Sequence, residues 1–216
     1  MDYSNYELFI FDLDDTLIKT EYYHYISWKT VLNTDFTYDY FISRFHSNRE
    51  NNIYNVLMNE FNIQNCTIII EQKKAFYLKY VEENKNNICM IDGVEDFLNQ
   101  IINKGKLFVI VSNSPKSQID YYCNLFPILQ KSSKNYYSEM FQNKKPNPEC
   151  YLNVVRDFPN MNILGFEDSI TGIHSMTQVK EIDTVFINTS DYYYYNYILQ
   201  EYNIILSIIN YTNITI

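Results

Sequence analysis

Three aspartates follow directly on a short apolar run near the start of the chain. The segment reads FIFDLDDTL, with Asp12, Asp14 and Asp15 within four positions and Thr16 immediately after them. Buried carboxylates repel one another and lose hydration, so this grouping costs free energy unless a cation or a reaction requires it. Carboxylate oxygens are ligands that Mg²⁺ prefers, and an ionised aspartate can act as a nucleophile. The segment therefore indicates a site for a metal ion or for nucleophilic chemistry.

Further polar residues stand at three later points of the chain. Ser112 and Asn113 follow the apolar run LFVIV, and Glu167 and Asp168 follow the run NILGF. Between them, Lys145 lies in NKKPNPECYL, a proline-punctuated loop that leads into a predicted helix. Hydroxyl and ammonium groups of this kind can bind a phosphoryl group and neutralise its charge.

Four short apolar runs are predicted to be strands. Each is continuously apolar rather than alternating, which is typical of strands buried on both faces of a parallel sheet. Helix-compatible segments at 93–104 and 115–125 favour an α/β fold with a doubly wound parallel sheet. Such sheets bind ligands at the carboxyl ends of their strands, which is where the polar residues fall. The predicted strands cover residues 7–11, 107–111, 162–166 and 183–187.

Nearly a hundred residues separate the first predicted strand from the second, far too many for one crossover helix. Residues 21–87 are predicted to be mostly helical, with apolar residues at helical spacing such as Ile53, Val56 and Leu57. We therefore predict a helical cap domain inserted after the first strand of an α/β core domain. The predicted bounds are 21–87 for the cap, and 1–20 with 88–216 for the core.

In order along the chain, these stretches resemble the motifs of the haloacid dehalogenase-like superfamily of phosphatases and phosphomutases. The likeness lies in an Asp-x-Asp-x-Thr segment, a serine after the second strand, a Lys-Pro-x-Pro loop and a final acidic pair. Each motif alone is weak, but four in order at the predicted strand ends are specific. The resemblance is to the subfamily with a helical cap after the first motif, which includes β-phosphoglucomutase and phosphoglycolate phosphatase. It implies a Rossmann-like core, Mg²⁺ as the cofactor and an aspartyl-phosphate intermediate.

The resemblance implies catalytic roles for four residues. Asp12 would attack phosphorus, while Asp14 would protonate the leaving oxygen and later take a proton from water. Ser112 would hydrogen-bond the transferring phosphoryl group, and Lys145 would neutralise its developing charge. Lys144 is the alternative for this role. Lys145 is preferred because it directly precedes the proline, as in the Lys-Pro-x-Pro form of the motif.

The implied metal ligands are oxygen atoms, as Mg²⁺ requires. Asp12 and Asp168 would supply carboxylate oxygens and Asp14 its backbone carbonyl, with Glu167 beside them as a further acidic ligand. The alternative for the first motif is a polar turn that caps a helix. Hydrogen bonds to the phosphate are expected from two more residues, Thr16 and Asn113.

Three residues of the predicted cap resemble substrate-binding residues. The segment TEYYHYISWK is similar to the one after the first motif of β-phosphoglucomutase and related sugar-phosphate phosphatases, which implies that His24 and Trp28 face the active site. The alternative is that His24 and Trp28, four residues apart, form one buried stripe of a helix. Arg49 resembles a cap arginine that grips a distal phosphate, with a solvated surface arginine as the alternative.

The function that these residues imply is that of a Mg²⁺-dependent phosphatase acting on a small phosphorylated metabolite, a sugar phosphate or a nucleotide. A phosphomutase is the alternative supported by the segment YYHYISWK, whereas the pair Asp15-Thr16 is the phosphatase-like form of the first motif. A catalytically silent phosphate-binding module is a third possibility, and it is disfavoured by the intact set of Asp12, Asp14, Lys145 and Asp168.

Charge and composition limit the partners. The net charge of −9 argues against a nucleic-acid-binding surface, because phosphate backbones are held by Lys and Arg. The longest apolar runs fall far short of a membrane span. The four cysteines form no Cys-x-x-Cys pair, which is typical of isolated thiols in a reducing compartment. We therefore expect a cytoplasmic protein whose partner is a small-molecule phosphate ester, and neither a nucleic acid nor a membrane.

Overall fold

The chain forms two units, which a computed structural model of the protein describes for most residues. One unit consists of Met1–Ile18 with Met90–Ile216, and the other of Lys19–Cys89. The structure describes residues 3–46, 50–189 and 201–216.

Six strands form one sheet in the described part of the larger unit. They are β1 (Leu8–Phe11), β2 (Leu107–Val111), β3 (Lys134–Tyr136), β4 (Ile163–Glu167), β5 (Ile182–Ile187) and β6 (Ile204–Ile208). Their order across the sheet is β3-β2-β1-β4-β5-β6, and every neighbouring pair is parallel. This confirms the predicted α/β fold with a doubly wound, Rossmann-like parallel sheet.

The strand order reverses between β1 and β4. From β1 the chain builds outward to β2 and β3 on one side, then returns to β4, β5 and β6 on the other. A crevice opens at such a reversal, outside the carboxyl ends of the two central strands. The four predicted strands match β1, β2, β4 and β5 to within one residue at each end, whereas β3 and β6 lie outside the predicted strands.

Helices α1 to α4 belong to the smaller unit, and α5 to α8 to the larger one. Their bounds are α1 (Glu21–Val31), α2 (Tyr38–Arg44), α3 (Glu50–Asn59), α4 (Cys66–Glu83), α5 (Val94–Asn103), α6 (Lys116–Leu125), α7 (Glu149–Asp157) and α8 (Ile170–Met176). Helices α5 and α6 match the predicted segments to within one residue at each end. Among the described residues, no helix has both the length and the apolar character needed to cross a membrane.

Apolar side chains cover both faces of the sheet, as the continuous apolar runs predict. On one face, the rings of Phe11 and Phe166 stack with centroids 4.8 Å apart, and Phe97 of α5 meets Phe11 edge-on at 6.2 Å. On the other face, Ile10 belongs to a buried cluster that includes Val154 of α7. Strands β1 and β4 are therefore fixed from both sides, which makes their carboxyl ends a rigid base for a site.

The smaller unit has an aromatic core of its own. Trp28 of α1 is buried and stacks on Phe45 with ring centroids 4.7 Å apart. Phe41 of α2 and Leu57 of α3 are buried in the same cluster. The helices are therefore held by packing among themselves, as an independently folded insertion requires.

The chain leaves the larger unit after Ile18 and returns to it at Met90. These two residues form an isolated antiparallel bridge, and the backbone N–H of Ile91 donates to the carbonyl of Leu17 at 2.9 Å. The two ends of the insertion are therefore adjacent.

A histidine in α1 is held neutral by its surroundings. The ammonium group of Lys73 donates to Nδ1 of His24 at 2.6 Å, and the His24 ring stacks on Tyr77 with centroids 4.2 Å apart. Burial lowers the pKa of His24 well below its ordinary value, and the positive charge of Lys73 lowers it further. The ring therefore accepts the hydrogen bond in its neutral form.

Replacing Tyr211 with Phe is expected to raise the free energy of unfolding by about 1 kcal/mol. The Tyr211 ring packs against Phe97 and Phe166 at centroid distances of 5.5 Å, but its buried hydroxyl has no hydrogen-bond partner among the described residues. Denaturant unfolding measures the change, with Tyr136→Phe as the matched control. The Tyr136 hydroxyl donates to Asp157 at 2.7 Å, so its loss should cost about 1 kcal/mol. An equal loss in both variants would contradict the prediction.

Acidification is expected to destabilise the wild type more than a His24→Gln variant. In the unfolded chain a histidine has a pKa near 6.5, whereas the pKa of folded His24 is well below this value. Between pH 7.5 and pH 5 the unfolded state therefore binds a proton at this position that the folded state does not bind, which lowers the free energy of unfolding. Glutamine accepts the Lys73 hydrogen bond without titrating. The wild type should lose more than about 1 kcal/mol relative to the variant over this range, measured by denaturant unfolding at both pH values. Parallel stability curves would show that His24 titrates alike in both states.

Candidate active site

Three predicted site residues lie at the carboxyl ends of adjacent strands. Asp12 follows the last residue of β1, Ser112 follows that of β2, and Asp168 follows that of β4. The backbone N–H of Asp12 donates to the carbonyl of Phe166 at 3.0 Å, which continues the pairing of β1 with β4. The parallel register thus brings residues more than 150 positions apart to the same edge of the sheet.

Lys145 connects the loop before α7 to this edge. Its ammonium group donates three hydrogen bonds, to Oδ1 of Asp12 at 2.6 Å, to Oε1 of Glu167 at 2.6 Å and to the carbonyl of Val111 at 2.8 Å. The side chain is 2% exposed, so all three donors of the ammonium are satisfied inside the protein. This is the position in which a cation can offset charge on a group bound at the strand ends.

Burial and mutual repulsion govern the ionisation of these groups. Burial alone would lower the pKa of Lys145, but the carboxylates of Asp12 and Glu167 outweigh it and raise the pKa well above its ordinary value. Burial raises the pKa of Asp12 to about 8; Lys145 opposes this rise, while Glu167 and Asp14 add to it. Lys145 is therefore charged at neutral pH, and Asp12 stands in surroundings that favour additional positive charge.

Both oxygens of Glu167 are occupied by protein donors. Oε1 accepts from Lys145 and from the hydroxyl of Tyr151 at 2.9 Å. Oε2 accepts from the backbone N–H of Asp168 at 3.0 Å, and from the backbone N–H and hydroxyl of Ser169 at 3.1 Å each. Glu167 thus fixes the lysine and the turn after β4, and Asp168 is the better placed of the two acidic residues to bind a metal ion.

Gly172 allows helix α8 to pass close to Glu167. A Cβ atom at position 172 would lie 1.8 Å from Oε1 of Glu167, closer than any real contact. The backbone N–H of Gly172 donates to the hydroxyl of Ser169, which caps the helix. Glycine is therefore the residue that this approach requires.

Asp168 receives a hydrogen bond from Thr16. The hydroxyl of Thr16 donates to Oδ1 of Asp168 at 3.0 Å, and both residues are buried. Burial raises the pKa of Asp168 well above its ordinary value, as do Glu167, Asp12 and Asp15, whereas the Thr16 hydrogen bond opposes this shift. In this arrangement Thr16 orients the carboxylate of Asp168, and its contact with a phosphate stays a prediction.

The donor set fits a divalent cation. Asp12, Glu167 and Asp168 share the buried region with the single ammonium of Lys145, which leaves two negative charges if all are ionised. Mg²⁺ is usually held by one or two protein carboxylates together with water and phosphate oxygens. Across residues 3–46, 50–189 and 201–216, no three His, Cys, Asp or Glu side chains are arranged to hold a metal ion. A Mg²⁺ site here would therefore combine Asp12 and Asp168 with a backbone oxygen, such as that of Asp14.

Asn113 is engaged with the backbone of the lysine loop. Its side-chain oxygen accepts from the N–H of Lys145 at 3.0 Å, and its amide donates to the carbonyl of Lys145 at 3.3 Å. Its neighbour Ser112 is buried, and its hydroxyl oxygen accepts from the N–H of Ser114 at 3.0 Å. The structure thus gives Asn113 a contact that positions Lys145, and its contact with phosphate stays a prediction.

Asp14 is oriented by two residues that follow β2. The hydroxyl of Ser114 donates to Oδ2 of Asp14 at 2.9 Å, and the amide of Gln118 in α6 approaches Oδ1 at 3.4 Å. Asp15, next in the chain, has a positive φ of 57°, a conformation that Asp tolerates better than most residues. The turn places Asp14 beside the start of α6.

The three predicted substrate-binding residues of the helical insertion have different outcomes. Trp28 is 5% exposed and lies in the aromatic core of the smaller unit, and its role in substrate binding stays a prediction. His24 contacts Lys73 and Tyr77 within the same unit. Arg49 lies outside the described residues.

Three residues that the sequence analysis does not single out belong to the site. Tyr151 donates to Glu167 and its ring lies 5.0 Å below the ammonium of Lys145, while Ser114 and Gln118 contact Asp14. Tyr151 is one of 22 tyrosines, and its position in the first turn of α7 is the only signal that could have marked it. Ser114 precedes α6 by two residues and Gln118 lies in its first turn, so no helical spacing marks the two as a pair in the sequence.

A sequence model of the haloacid dehalogenase-like hydrolases matches residues 9–187, which is most of the chain. The match spans both acidic motifs, the serine after β2 and the lysine loop. No curated protein is significantly similar to the chain in sequence.

Solved structures with the same fold cover nearly the whole chain. A family IA, variant 3 hydrolase from Entamoeba histolytica is 22% identical with a TM-score of 0.79, over 97% of this chain and 96% of that one. A hydrolase from Deinococcus radiodurans with bound phosphate and sodium is 15% identical with a TM-score of 0.74, over 96% and 93%. CbbY from Rhodobacter sphaeroides, solved with phosphate, is 16% identical with a TM-score of 0.70, over 96% of both chains. A variant of CbbY was also solved with xylulose-1,5-bisphosphate.

Replacing Gly172 with Ala is expected to lower the free energy of unfolding by about 3 kcal/mol, because the new methyl group must displace the carboxylate of Glu167 from its donors. Denaturant unfolding measures this loss. Gly105→Ala is the matched control, since nothing lies within 4 Å of its Cβ position and only its φ of 67° is unfavourable. The control should lose about 1 kcal/mol. Equal losses would mean that the contact with Glu167 relaxes without cost.

Proposed function

The chain belongs to the haloacid dehalogenase-like hydrolases, and on this premise we propose that it is a Mg²⁺-dependent phosphatase of a small phosphorylated metabolite. A sugar phosphate or a nucleotide is the proposed substrate. The observation that carries the proposal is the buried ammonium of Lys145, bonded to Asp12 at the carboxyl end of β1. It places a positive charge beside a potential nucleophile, at the sheet edge where α/β proteins bind ligands. We also propose that the unit Lys19–Cys89 is a cap domain.

The reaction begins with attack by a carboxylate oxygen of Asp12 on phosphorus. The new bond joins Asp12 to the phosphoryl group, and the bond from phosphorus to the ester oxygen breaks. Asp14 gives its proton to the departing oxygen, which leaves as an alcohol. Asp14 then takes a proton from water, whose oxygen attacks the phosphoryl group of the aspartyl-phosphate. Phosphate is released and the carboxylate of Asp12 is restored.

Three neighbouring residues assist the transfer. Lys145 offsets the negative charge that gathers on the phosphoryl oxygens. Ser112 accepts the N–H of Ser114 with its oxygen, so its hydroxyl hydrogen can be donated to a phosphoryl oxygen. Thr16 keeps Asp168 in place through its hydrogen bond.

Asp12, Asp168 and the backbone carbonyl of Asp14 are the residues that would hold Mg²⁺. When bound, the ion supplies positive charge that relieves repulsion between the carboxylates and an anionic phosphate ester. Glu167 acts on this set indirectly, by fixing Lys145 and the backbone of Asp168.

A phosphomutase is the second candidate. The segment YYHYISWK in α1, which resembles β-phosphoglucomutase, favours it. A mutase passes the phosphoryl group back to a sugar instead of to water. It therefore depends on a sugar bisphosphate activator and releases phosphate slowly.

The proposed activity predicts phosphate release that requires Mg²⁺ and Asp12. Wild type should release phosphate from members of a panel of sugar phosphates, nucleotides and 4-nitrophenyl phosphate, and EDTA should abolish the release. Asp12→Asn should lower kcat by at least about 1,000-fold, because an amide oxygen is a poor nucleophile toward phosphorus. Colorimetric phosphate detection measures the rates.

Asp183→Asn is the matched control, since Asp183 is an exposed carboxylate near the amino end of β5 and bonds Tyr6. Its activity should equal that of wild type. Interconversion of sugar monophosphates that needs a bisphosphate activator, with little free phosphate, would establish the mutase instead. Folded wild type without EDTA-sensitive turnover of either kind would refute both candidates.

A further inference from the structure

We infer that Ser114 and Gln118 are positioning residues for Asp14, and that they aim its carboxyl group at the leaving oxygen of the substrate. This inference rests on the proposed phosphatase function. Ser114 and Gln118 would thus be added to the residues that support the reaction. Neither carries a charge, and neither is expected to contact the phosphoryl group.

Ser114 and Gln118 contact different oxygens of the Asp14 carboxyl group. The hydroxyl of Ser114 donates to Oδ2 at 2.9 Å, and the amide nitrogen of Gln118 lies 3.4 Å from Oδ1. Both donors are a hundred or more residues away from Asp14 in the sequence. Two donors on opposite oxygens fix the plane of a carboxyl group, whereas one donor leaves it free to rotate about that bond.

Ser114 is itself held rigidly. Its backbone N–H donates to the hydroxyl of Ser112 at 3.0 Å, and its carbonyl accepts from the N–H of Ser138 at 3.0 Å. The bond to Ser112 also ties the residue that positions Asp14 to the residue proposed to bind the phosphoryl group. The loop thus sets the distance between the two ends of the reacting bond.

Gln118 is held through the first turn of α6. Its backbone N–H donates to the carbonyl of Pro115 at 3.0 Å, and the carboxylate of Glu139 accepts from the N–H of Lys116 at 3.1 and 3.3 Å. This acidic cap fixes the start of the helix and therefore the direction in which Gln118 extends.

The two contacts differ in strength, which distinguishes the two oxygens of Asp14. The Ser114 bond has the ordinary length for a hydroxyl donor, so Oδ2 is anchored. The Gln118 contact is longer and therefore weaker, so Oδ1 is the oxygen that can exchange its donor for a substrate atom while the Ser114 bond holds the carboxyl group. We assign the proton transfer to Oδ1, with Oδ2 as the anchored oxygen.

The test compares leaving groups that differ in their need for a proton. A 4-nitrophenolate ion departs without protonation, whereas an alkoxide does not, so only alkyl esters depend strongly on the general acid. The experiment measures kcat/KM, which reports on the first phosphoryl transfer, for 4-nitrophenyl phosphate and for the best alkyl phosphate of the panel. The variant Asp14→Asn lacks the acid, and its ratio of kcat/KM for the aryl ester to kcat/KM for the alkyl ester sets the upper limit of the effect.

Ser114→Ala should lower kcat/KM for the alkyl ester by about 100-fold and for the aryl ester by less than about 3-fold. Gln118→Ala should lower kcat/KM for the alkyl ester relative to that for the aryl ester by about 10-fold, a smaller effect because the Gln118 contact is longer. Ser114→Thr restores the hydroxyl and should restore the ratio. Ser117→Ala, an exposed position on the same turn of α6, should behave as wild type.

A parallel fall for both esters in Ser114→Ala and Gln118→Ala would mean that the two residues only support the loop, and would overturn the inference. An unchanged alkyl rate would overturn it as well. If wild type hydrolyses neither ester, the proposed function itself fails, and the assignment of Ser114 and Gln118 falls with it. If wild type hydrolyses both esters, the proposed function stands, and the variants then test the positioning roles of Ser114 and Gln118 alone.

Discussion

The buried ammonium of Lys145 between Asp12 and Glu167 is the interaction on which the rest of the structure depends. Each of these charges would cost several kcal/mol in isolation; the ammonium of Lys145 offsets the two carboxylates, which repel each other, and they in turn offset the ammonium. They come from the loop before α7, from the residue that follows β1 and from the last residue of β4, so the charge network also joins three distant parts of the chain. The same atoms that make the site reactive therefore make the central strands and the lysine loop one rigid body.

The sequence predicts the central part of the fold well, and for a physical reason. Strands buried on both faces must be continuously apolar, which makes β1, β2, β4 and β5 visible as runs. The edge strands lack this signal. Strand β3 has only three residues, two of them polar, and β6 lies in a tail so rich in Ile, Asn and Tyr that composition hides any pattern. An edge strand is buried on fewer sides, so selection for apolar residues is weaker there.

Some residues of the candidate site can be predicted from the sequence and others cannot. Asp12 and Lys145 are recognisable because their chemistry and their place at strand ends coincide. Tyr151 and Ser114 act through the direction of one hydrogen bond, which depends on helix phase and rotamer and leaves no trace in residue spacing. Asn113 is recognisable by its place after β2, but its two hydrogen bonds with the backbone of the lysine loop depend on tertiary structure that residue order does not reveal.

The adjacency of Ile18 and Met90 has a consequence for how the chain folds. Strand β1 pairs with β2 across almost a hundred residues, a separation that makes loop closure costly and sheet formation slow. The helices of the insertion pack among themselves, between residues closer in sequence. Once they bring Ile18 beside Met90, only two short segments remain between β1 and β2. The speed at which the sheet assembles is thus linked to a unit whose described residues contribute no strand to it.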